Sequence, residues 1–290
     1  MEEVYLETTA RELLRDAYDL HIHSAPSHFP RSADDLEVMQ QAAAAGMKGI
    51  CIKSHYEPTG ARAMLLNRMH ASSGTTAYGS VVLNHTVGGL NVYAVHSALH
   101  LGASIVYMPT RDAEKSLRYG DMPGDFFSRP GITILDEMGK IKREVYDILD
   151  LVKEHNAALA TGHLGTDESI YLCREGVRRG VRMILTHPDW ERTVVPLETQ
   201  KELADAGVWI EKCWNVVAEK CCSMEQLAYG IRQFGPQQCF LSSDMGKKGF
   251  DLPVHGMLRF LQGLLRYGIP KSDLARMARQ NPGLVLGLTV

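Results

Sequence analysis

Short apolar runs alternate with amphipathic stretches of helical period over most of the chain. Runs of this kind are typical of buried strands, and the stretches between them have apolar residues at helical spacing. Strands that alternate with helices form parallel sheets, and eight such units predict an α/β fold, the (β/α)8 TIM barrel. The predicted strands are residues 18–23, 49–53, 77–83, 104–108, 157–161, 181–185, 208–212 and 238–241. The predicted helices are residues 32–45, 60–71, 92–101, 141–154, 167–179, 197–206, 224–234, 253–265 and 272–279.

The periodicity lapses between residues 109 and 140, where glycines and prolines interrupt a polar stretch. Loops of this length in a compact domain are usually functional or mobile. We therefore predict a long loop insertion after the fourth strand, close to the functional site. Two arginines of this stretch, Arg111 and Arg118, are interpreted as solvated charges, although either would be able to close over a substrate.

Length and composition fit one barrel domain that covers residues 1–290. The formal net charge of −3 does not favour a nucleic-acid partner. Apolar runs stay shorter than the roughly 18 residues that a membrane helix needs, so no membrane contact is expected. The acidic start lacks the features of a signal peptide, and the six cysteines form no paired motif. We therefore expect reduced thiols and a cytoplasmic protein.

Side chains that can bind a metal lie at the ends of four predicted strands, and three of these strands are considered first. His21 and His23 are two residues apart on the first strand and so face the same side of it. His163 follows the fifth strand and Asp244 follows the eighth. A parallel barrel gathers its strand ends at one rim, so these groups are expected to meet there. Three imidazoles and a carboxylate suit Zn²⁺, Mn²⁺ or Fe²⁺, and the ion would lower the pKa of a bound water toward about 7.

These residues, together with His187 after the sixth strand and the late segment 281–288, resemble the amidohydrolase superfamily over essentially the whole chain. The resemblance implies that His21, His23 and Asp244 bind a divalent metal, and that His163 binds the same ion or a second one. It also implies that His187 binds a second ion or polarises the substrate. One or two ions and a homo-oligomer are therefore expected, with zinc as the first expectation.

One departure from the family pattern concerns Lys53. Many two-metal members have a carboxylated Lys or a Glu on the fourth strand as a bridge between the ions, and residues 106–110 offer no such ligand. Lys53 stands instead at the end of the second strand. It would contact the substrate, form an ion pair of the scaffold, or bridge two ions as a carbamate. We favour contact with the substrate, and therefore a single metal.

Polar residues of the rim loops are the candidates for binding a small-molecule substrate. Lys53, His55 and Arg62 follow the second strand and would receive an anionic group such as a carboxylate or phosphate. His85 follows the third strand, and Trp190 lies just after His187. Each of the loop residues also has an ordinary structural explanation, as a solvated loop residue or a part of the barrel rim.

The favoured function is a metal-dependent hydrolase that acts on an amide, lactone or ester bond. In this interpretation Asp244 takes the proton of the attacking water, and His187 stabilises the developing oxyanion with the metal. Lys53 completes the catalytic candidates. Three alternatives remain open from the sequence: a mononuclear decarboxylase or hydratase of the same superfamily, a phosphoesterase, and a metal-binding barrel without catalytic activity.

Overall fold

Eight parallel strands form the centre of the molecule in a computed structural model that describes residues 2–120, 122 and 128–289. The strands pair in chain order from β1 to β8, as expected of a TIM barrel. The predicted (β/α)8 fold is therefore confirmed. The strands are β1 (Tyr18–Ile22), β2 (Gly49–Ile52), β3 (Thr76–Val82), β4 (Ala103–Tyr107), β5 (Ala158–Ala160), β6 (Arg182–Leu185), β7 (Trp209–Cys213) and β8 (Cys239–Ser242).

The helices surround this sheet, and the predicted ones lie within a few residues of their predicted positions. They are α1 (Glu2–Leu14), α2 (Asp35–Ala44), α3 (Gly60–Met69), α4 (Val92–His100), α5 (Glu114–Arg118), α6 (Arg143–Glu154), α7 (Thr166–Arg178), α8 (Leu197–Asp205), α9 (Asn215–Ala218), α10 (Met224–Phe234), α11 (Pro253–Arg266), α12 (Lys271–Ala275) and α13 (Asn281–Val285). A π-helical turn (Arg276–Gln280) joins α12 to α13. In the described part of the chain, no helix is long and apolar enough to cross a membrane.

Helix α1 was not predicted from the sequence. It precedes the first strand and packs against α11, burying Leu6, Ala10, Leu13 and Leu14. Its apolar residues are few and its exposed face is rich in charge, so the hydrophobic pattern that reveals the barrel helices is weak here. The helix adds an outer layer beside α11 and does not contribute to the barrel rim.

The core has two layers because each strand buries both of its faces. Inside the barrel, side chains such as Leu20, Ile105, Tyr107 and Phe240 fill the lumen. Outside it, aliphatic residues of the strands pack against the inner faces of the helices. Strands that are buried on both faces are continuous apolar runs in the sequence, which is why they were predictable.

The connection between β4 and α6 corresponds to the predicted insertion at 109–140. Its described part holds the short helix α5 and isolated bridges between Ala113 and Ile132 and between Leu135 and Ile141. Residues 121 and 123–127 lie outside the described residues, so the insertion as a whole remains a prediction.

The barrel closes between β8 and β1 through backbone hydrogen bonds just beyond the strands. The amide of Asp244 donates to the carbonyl of His21, and the amide of His23 donates to the carbonyl of Met245, each at 2.8 Å. The buried carboxyl of Asp19 adds a further link, accepting hydrogen bonds from the amides of His21 at 3.3 Å and Ser243 at 3.0 Å.

Gly246 permits this closure, since it has a φ of 120° and lies against the backbone of β1. A Cβ atom at this position would stand 1.7 Å from the carbonyl oxygen of His23. Any residue other than glycine must therefore displace one of the two chain segments that form the site.

We predict that Gly246→Ala destabilises the protein by about 2 kcal/mol or more, from left-handed strain together with the steric clash. The matched control is Gly249→Ala, where φ is 92° but no atom lies within 4 Å of the added Cβ. Urea unfolding of both variants measures the difference. Equal losses in the two variants would show that the close approach to His23 does not matter.

Candidate metal and substrate site

The predicted metal ligands meet at the carboxyl end of the barrel, beside a cavity that is lined in part by His23, His163 and Asp244. The Nε2 atoms of His21 and His23 each lie 3.1 Å from Oδ1 of Asp244. One ligand atom from each of the three residues falls within 4.8 Å of the others, so a single ion would reach all three.

His163 and His187 complete this cluster. The ring of His187 stacks on that of His21 at 5.8 Å between centroids, and the ring of His163 lies 5.2 Å from that of His187. All five predicted ligands are therefore adjacent, as the strand-end positions indicated. His187 and Asp244 also have positive φ angles, of 27° and 50°, which is strained backbone of the kind found at functional sites.

Glu211 orients His21 from inside the barrel. The Nδ1 atom of His21 donates to Oε1 of Glu211 at 3.0 Å, and both side chains are fully buried. With Nδ1 engaged by Glu211, Nε2 is the nitrogen that faces Asp244 and that would offer a lone pair to a bound cation. A carboxylate behind an imidazole is the arrangement that fixes and strengthens histidine ligands in metal sites.

Thr193 orients His187 in a comparable way. The hydroxyl of Thr193 donates to the carbonyl of His187 at 2.9 Å, so its oxygen accepts the Nδ1 proton of the same residue at 3.0 Å. The Nε2 atom of His187 is then a lone-pair donor. The hydrogen-bond partners thus favour His187 as a metal ligand over a proton-donating group.

His55 has the opposite tautomer. The hydroxyl oxygen of Thr110 accepts from the Asn84 amide at 2.8 Å, which leaves its proton for Nδ1 of His55 at 2.9 Å. The proton of the imidazole is then on Nε2. His55 lines the cavity and stacks on His23 at 4.8 Å between centroids, so it is placed as a hydrogen-bond donor to a substrate.

The electrostatics of the cluster favour a positive charge between the ligands. Burial opposes charging of His21, but Asp244 and Glu211 outweigh this effect and raise the pKa of His21 to about 9. Burial also opposes ionisation of Asp244, yet His21 and His23 hold the pKa of its carboxyl well below the usual range. Burial lowers the pKa of His163 and His187, so both imidazoles are neutral and able to bind a metal.

Lys53 reaches the centre of the cluster from β2. Its buried Nζ lies 2.9 Å from Nε2 of His21 and 4.5 Å from the ring centroid of Tyr107. Burial lowers the pKa of this ammonium group, while Asp244 and Glu211 act in the opposite direction. The side chain also lines the cavity, so it is close to both the metal ligands and a bound substrate.

The structure places one of the other substrate-binding candidates at the cavity and two outside its described lining. Trp190 forms a wall of the cavity, with its ring 5.1 Å from that of His163 and 5.3 Å from that of His187. Arg62 instead pairs with Asp35 and Glu57, and is not among the described residues that line the cavity. The Nε2 atom of His85 donates to the carbonyl of Pro130 at 2.8 Å, and His85 is likewise outside that lining.

Several cavity residues were missed or misjudged from the sequence. Glu211 was overlooked, although a charged residue inside a buried strand is a recognisable signal. Arg111 was interpreted as a solvated charge, but it is 6% exposed and lines the cavity. Arg118, which was interpreted in the same way, is exposed and pairs with Glu114. Arg31, from the loop after β1, gave no signal because its position depends on how that loop folds.

Comparisons with known proteins agree with this architecture. A family profile described as a family of unknown function (DUF6282) matches residues 16–211. The chain belongs to this family. No curated protein matches its sequence at a significant level.

Solved structures share the fold at low sequence identity. An amidohydrolase from Pseudomonas aeruginosa is 13% identical with a TM-score of 0.67, covering 99% of this chain and 98% of that one. A mutant organophosphorus hydrolase from Deinococcus radiodurans is 13% identical with a TM-score of 0.57, covering 93% of each chain. A dihydroorotase from Campylobacter jejuni is 12% identical with a TM-score of 0.54, covering 95% and 84%. These similarities agree with the barrel fold that the sequence predicted.

A buried ion pair anchors the loop that carries His187 and Trp190. The Nζ atom of Lys212 on β7 lies 2.8 Å and 2.7 Å from the two carboxylate oxygens of Asp189, and 2.8 Å from Oε1 of Gln200. The Lys212 side chain is 0% exposed and that of Asp189 is 16% exposed. Removing the negative charge would leave the buried ammonium group of Lys212 without a counter-ion among the described residues.

We predict that Asp189→Asn lowers the free energy of unfolding by about 3 kcal/mol, since it breaks a buried ion pair. The control is Asp205→Asn, which removes an exposed pair with Lys201 and should cost less than about 1 kcal/mol. Urea titration of both variants provides the comparison. Similar small losses would contradict the anchoring role of the Lys212 pair.

Proposed function

We propose that this protein is a metal-dependent hydrolase that uses a metal-activated water to cleave an amide, lactone or ester bond of a small substrate. The convergence of His21 and His23 on one oxygen of Asp244, beside His163 and His187, carries the proposal. The solved structures support it only through the fold and through their descriptions as hydrolases.

The donor set fits a divalent ion. The buried Nδ1 atoms of His23 and His163 have no hydrogen-bond partner in the described part of the chain. Buried polar atoms without partners are costly, and a bound ion or substrate near them would supply the missing interactions. His21, His23, His163, His187 and Asp244 would hold the ion, and zinc is our first choice, with manganese and iron as alternatives. A divalent ion supplies a coordinated water of lowered pKa and polarises the bond to be cleaved.

The chain's own residues position the other reactants. Asp244 lines the cavity at the point where the imidazoles converge, so its carboxylate is placed to take a proton from the attacking water. The Nε2 proton of His55 and the ammonium group of Lys53 are donors on the same cavity wall, suited to a developing oxyanion. Trp190 forms part of the cavity wall beside His163. In this proposal Lys53 and His55 stabilise the oxyanion, whereas His187 binds the metal.

We expect about one equivalent of metal in the purified protein by plasma mass spectrometry. His23→Ala and Asp244→Ala should lose both metal and turnover, because each removes one of three converging ligands. His255→Ala on the exposed face of α11 is the control and should behave as wild type. Wild-type metal content in both ligand variants would contradict the site.

The same preparations distinguish hydrolysis from lyase chemistry. A panel of lactones, N-acyl amino acids and carboxylic esters is incubated in ¹⁸O-enriched water, and products are examined by mass spectrometry. A hydrolase places ¹⁸O in the carboxyl product. Release of CO₂ without incorporation of ¹⁸O would instead indicate a decarboxylase.

Lys53→Ala tests the assignment of this lysine. We expect the variant to keep its metal and to lose turnover by about 100-fold or more, because a donor to the oxyanion is removed. Loss of the metal from the variant would contradict substrate contact, and would indicate that Lys53 bridges ions as a carbamate.

A further inference from the structure

Three histidines gather on the outside of the barrel, where α4 packs against α6. His96 and His100 lie on α4, and His155 directly follows the last residue of α6. The ring centroids of His96 and His100 are 4.2 Å apart, and that of His155 lies 4.8 Å from His100 and 6.3 Å from His96. These three residues are not part of the cavity lining at the barrel rim, so they form a separate cluster.

Helical spacing accounts for the first of these contacts. Residues four positions apart on an α-helix lie on the same face, and two histidines at this spacing are able to bind one metal ion together. His100 stands four residues after His96. The third imidazole comes from a different helix and completes the set. Three imidazoles suit borderline divalent ions such as Zn²⁺, Ni²⁺ and Cu²⁺.

Backbone carbonyls hold two of the three rings. Nδ1 of His100 donates to the carbonyl of His96 at 2.9 Å, and Nδ1 of His155 donates to the carbonyl of Leu151 at 3.0 Å. In the neutral ring the lone pair is then on Nε2. Metal-binding histidines usually donate their second ring nitrogen to a carbonyl or carboxylate in this way. Both rings are therefore prepared to offer Nε2 to a cation.

The surroundings of the cluster are accessible and contain carboxylates. All three rings are exposed or half-buried, so an ion reaches them directly from solution. The groove beside His96 is also lined by Asp147, Asp150 and Glu154 of α6. Glu154 directly precedes His155 in the chain. Carboxylates next to imidazoles favour the approach of a cation over that of an anion.

The ligand nitrogens of the three rings do not all lie within 4.8 Å of one another. Binding of one ion by all three therefore requires a rotation of at least one ring. Exposed side chains change rotamer within picoseconds to nanoseconds, so this rotation is no barrier to binding. An exposed site of this kind exchanges its ion readily, and we expect purification to remove the ion from it.

We propose that His96, His100 and His155 form a second metal site, which takes a divalent transition cation from solution and joins α4 to α6. The ion stabilises the folded chain, because the three imidazoles come together only when both helices are packed on the barrel. This site is independent of the proposed hydrolase function, since its ligands are separate from the residues at the barrel rim.

Equilibrium dialysis against a micromolar excess of zinc, followed by plasma mass spectrometry, counts the ions that each variant binds. We expect the wild type to hold about one equivalent more than the double variant His96→Ala/His100→Ala. His100→Ala alone should weaken binding of this ion by about tenfold or more, since loss of a direct ligand costs at least as much as loss of a supporting partner. The matched control is His255→Ala, which removes an exposed histidine of α11 and should bind as wild type.

Asp244→Ala separates the two sites. It lacks a ligand at the barrel rim and should still take up the ion at the histidine cluster, with a rise in melting temperature on addition of zinc. The same variant with His96→Ala and His100→Ala added should show neither effect. Melting curves recorded before zinc is added show whether each variant is folded.

The outcomes distinguish this inference from the proposed function. Equal zinc content in the wild type and in the folded double variant would overturn the second site, even where the barrel metal and turnover are intact. Absence of zinc from folded Asp244→Ala after dialysis would overturn it as well. Zinc held by the histidine cluster of a protein that hydrolyses no substrate would support the second site while contradicting the hydrolase.

Discussion

The backbone hydrogen bonds between β1 and β8 are the constraint on which the rest of the site depends. They join the segment of His21 and His23 to that of Asp244 in a fixed register. Residues that are more than 200 positions apart in the sequence therefore present their side chains to one point. A glycine at 246 allows the two segments to approach, and the loop with Arg31 pairs with the same junction. Closure of the barrel and assembly of the site are thus one structural event.

The positions of the strands and of the five candidate ligands could be predicted because both follow from local signals. Buried strands are short apolar runs, and His21, His163, His187 and Asp244 come directly at or after such runs. Loop residues did not follow this rule. Arg62 forms an ion pair with Asp35 and therefore does not face the cavity. This contact joins loops whose conformations the sequence pattern does not specify. The partners of individual side chains depend on tertiary packing and were therefore not predictable.

Hydrogen-bond partners behind the cavity assign different chemistry to similar side chains. Glu211 and Thr193 accept hydrogen bonds from Nδ1 of His21 and His187, so the opposite nitrogens are the ones that would bind a cation. Thr110 donates to His55 and leaves a proton there. In this account histidine serves as a metal ligand at some positions and as a hydrogen-bond donor at His55. Such partners lie on neighbouring strands and loops, so they act only once the barrel has formed.

X-ray absorption spectroscopy of the zinc-loaded protein tests the central claim most directly. His21 belongs to two groups of donor atoms in the described structure, one with His23 and Asp244 and the other with Glu211 and Cys213. Our account predicts a first shell of nitrogen and oxygen at about 2.0–2.1 Å with the outer-shell scattering of several imidazoles. A sulfur at about 2.3 Å would place the ion beside Cys213, inside the barrel and away from the cavity, and would contradict the proposed site.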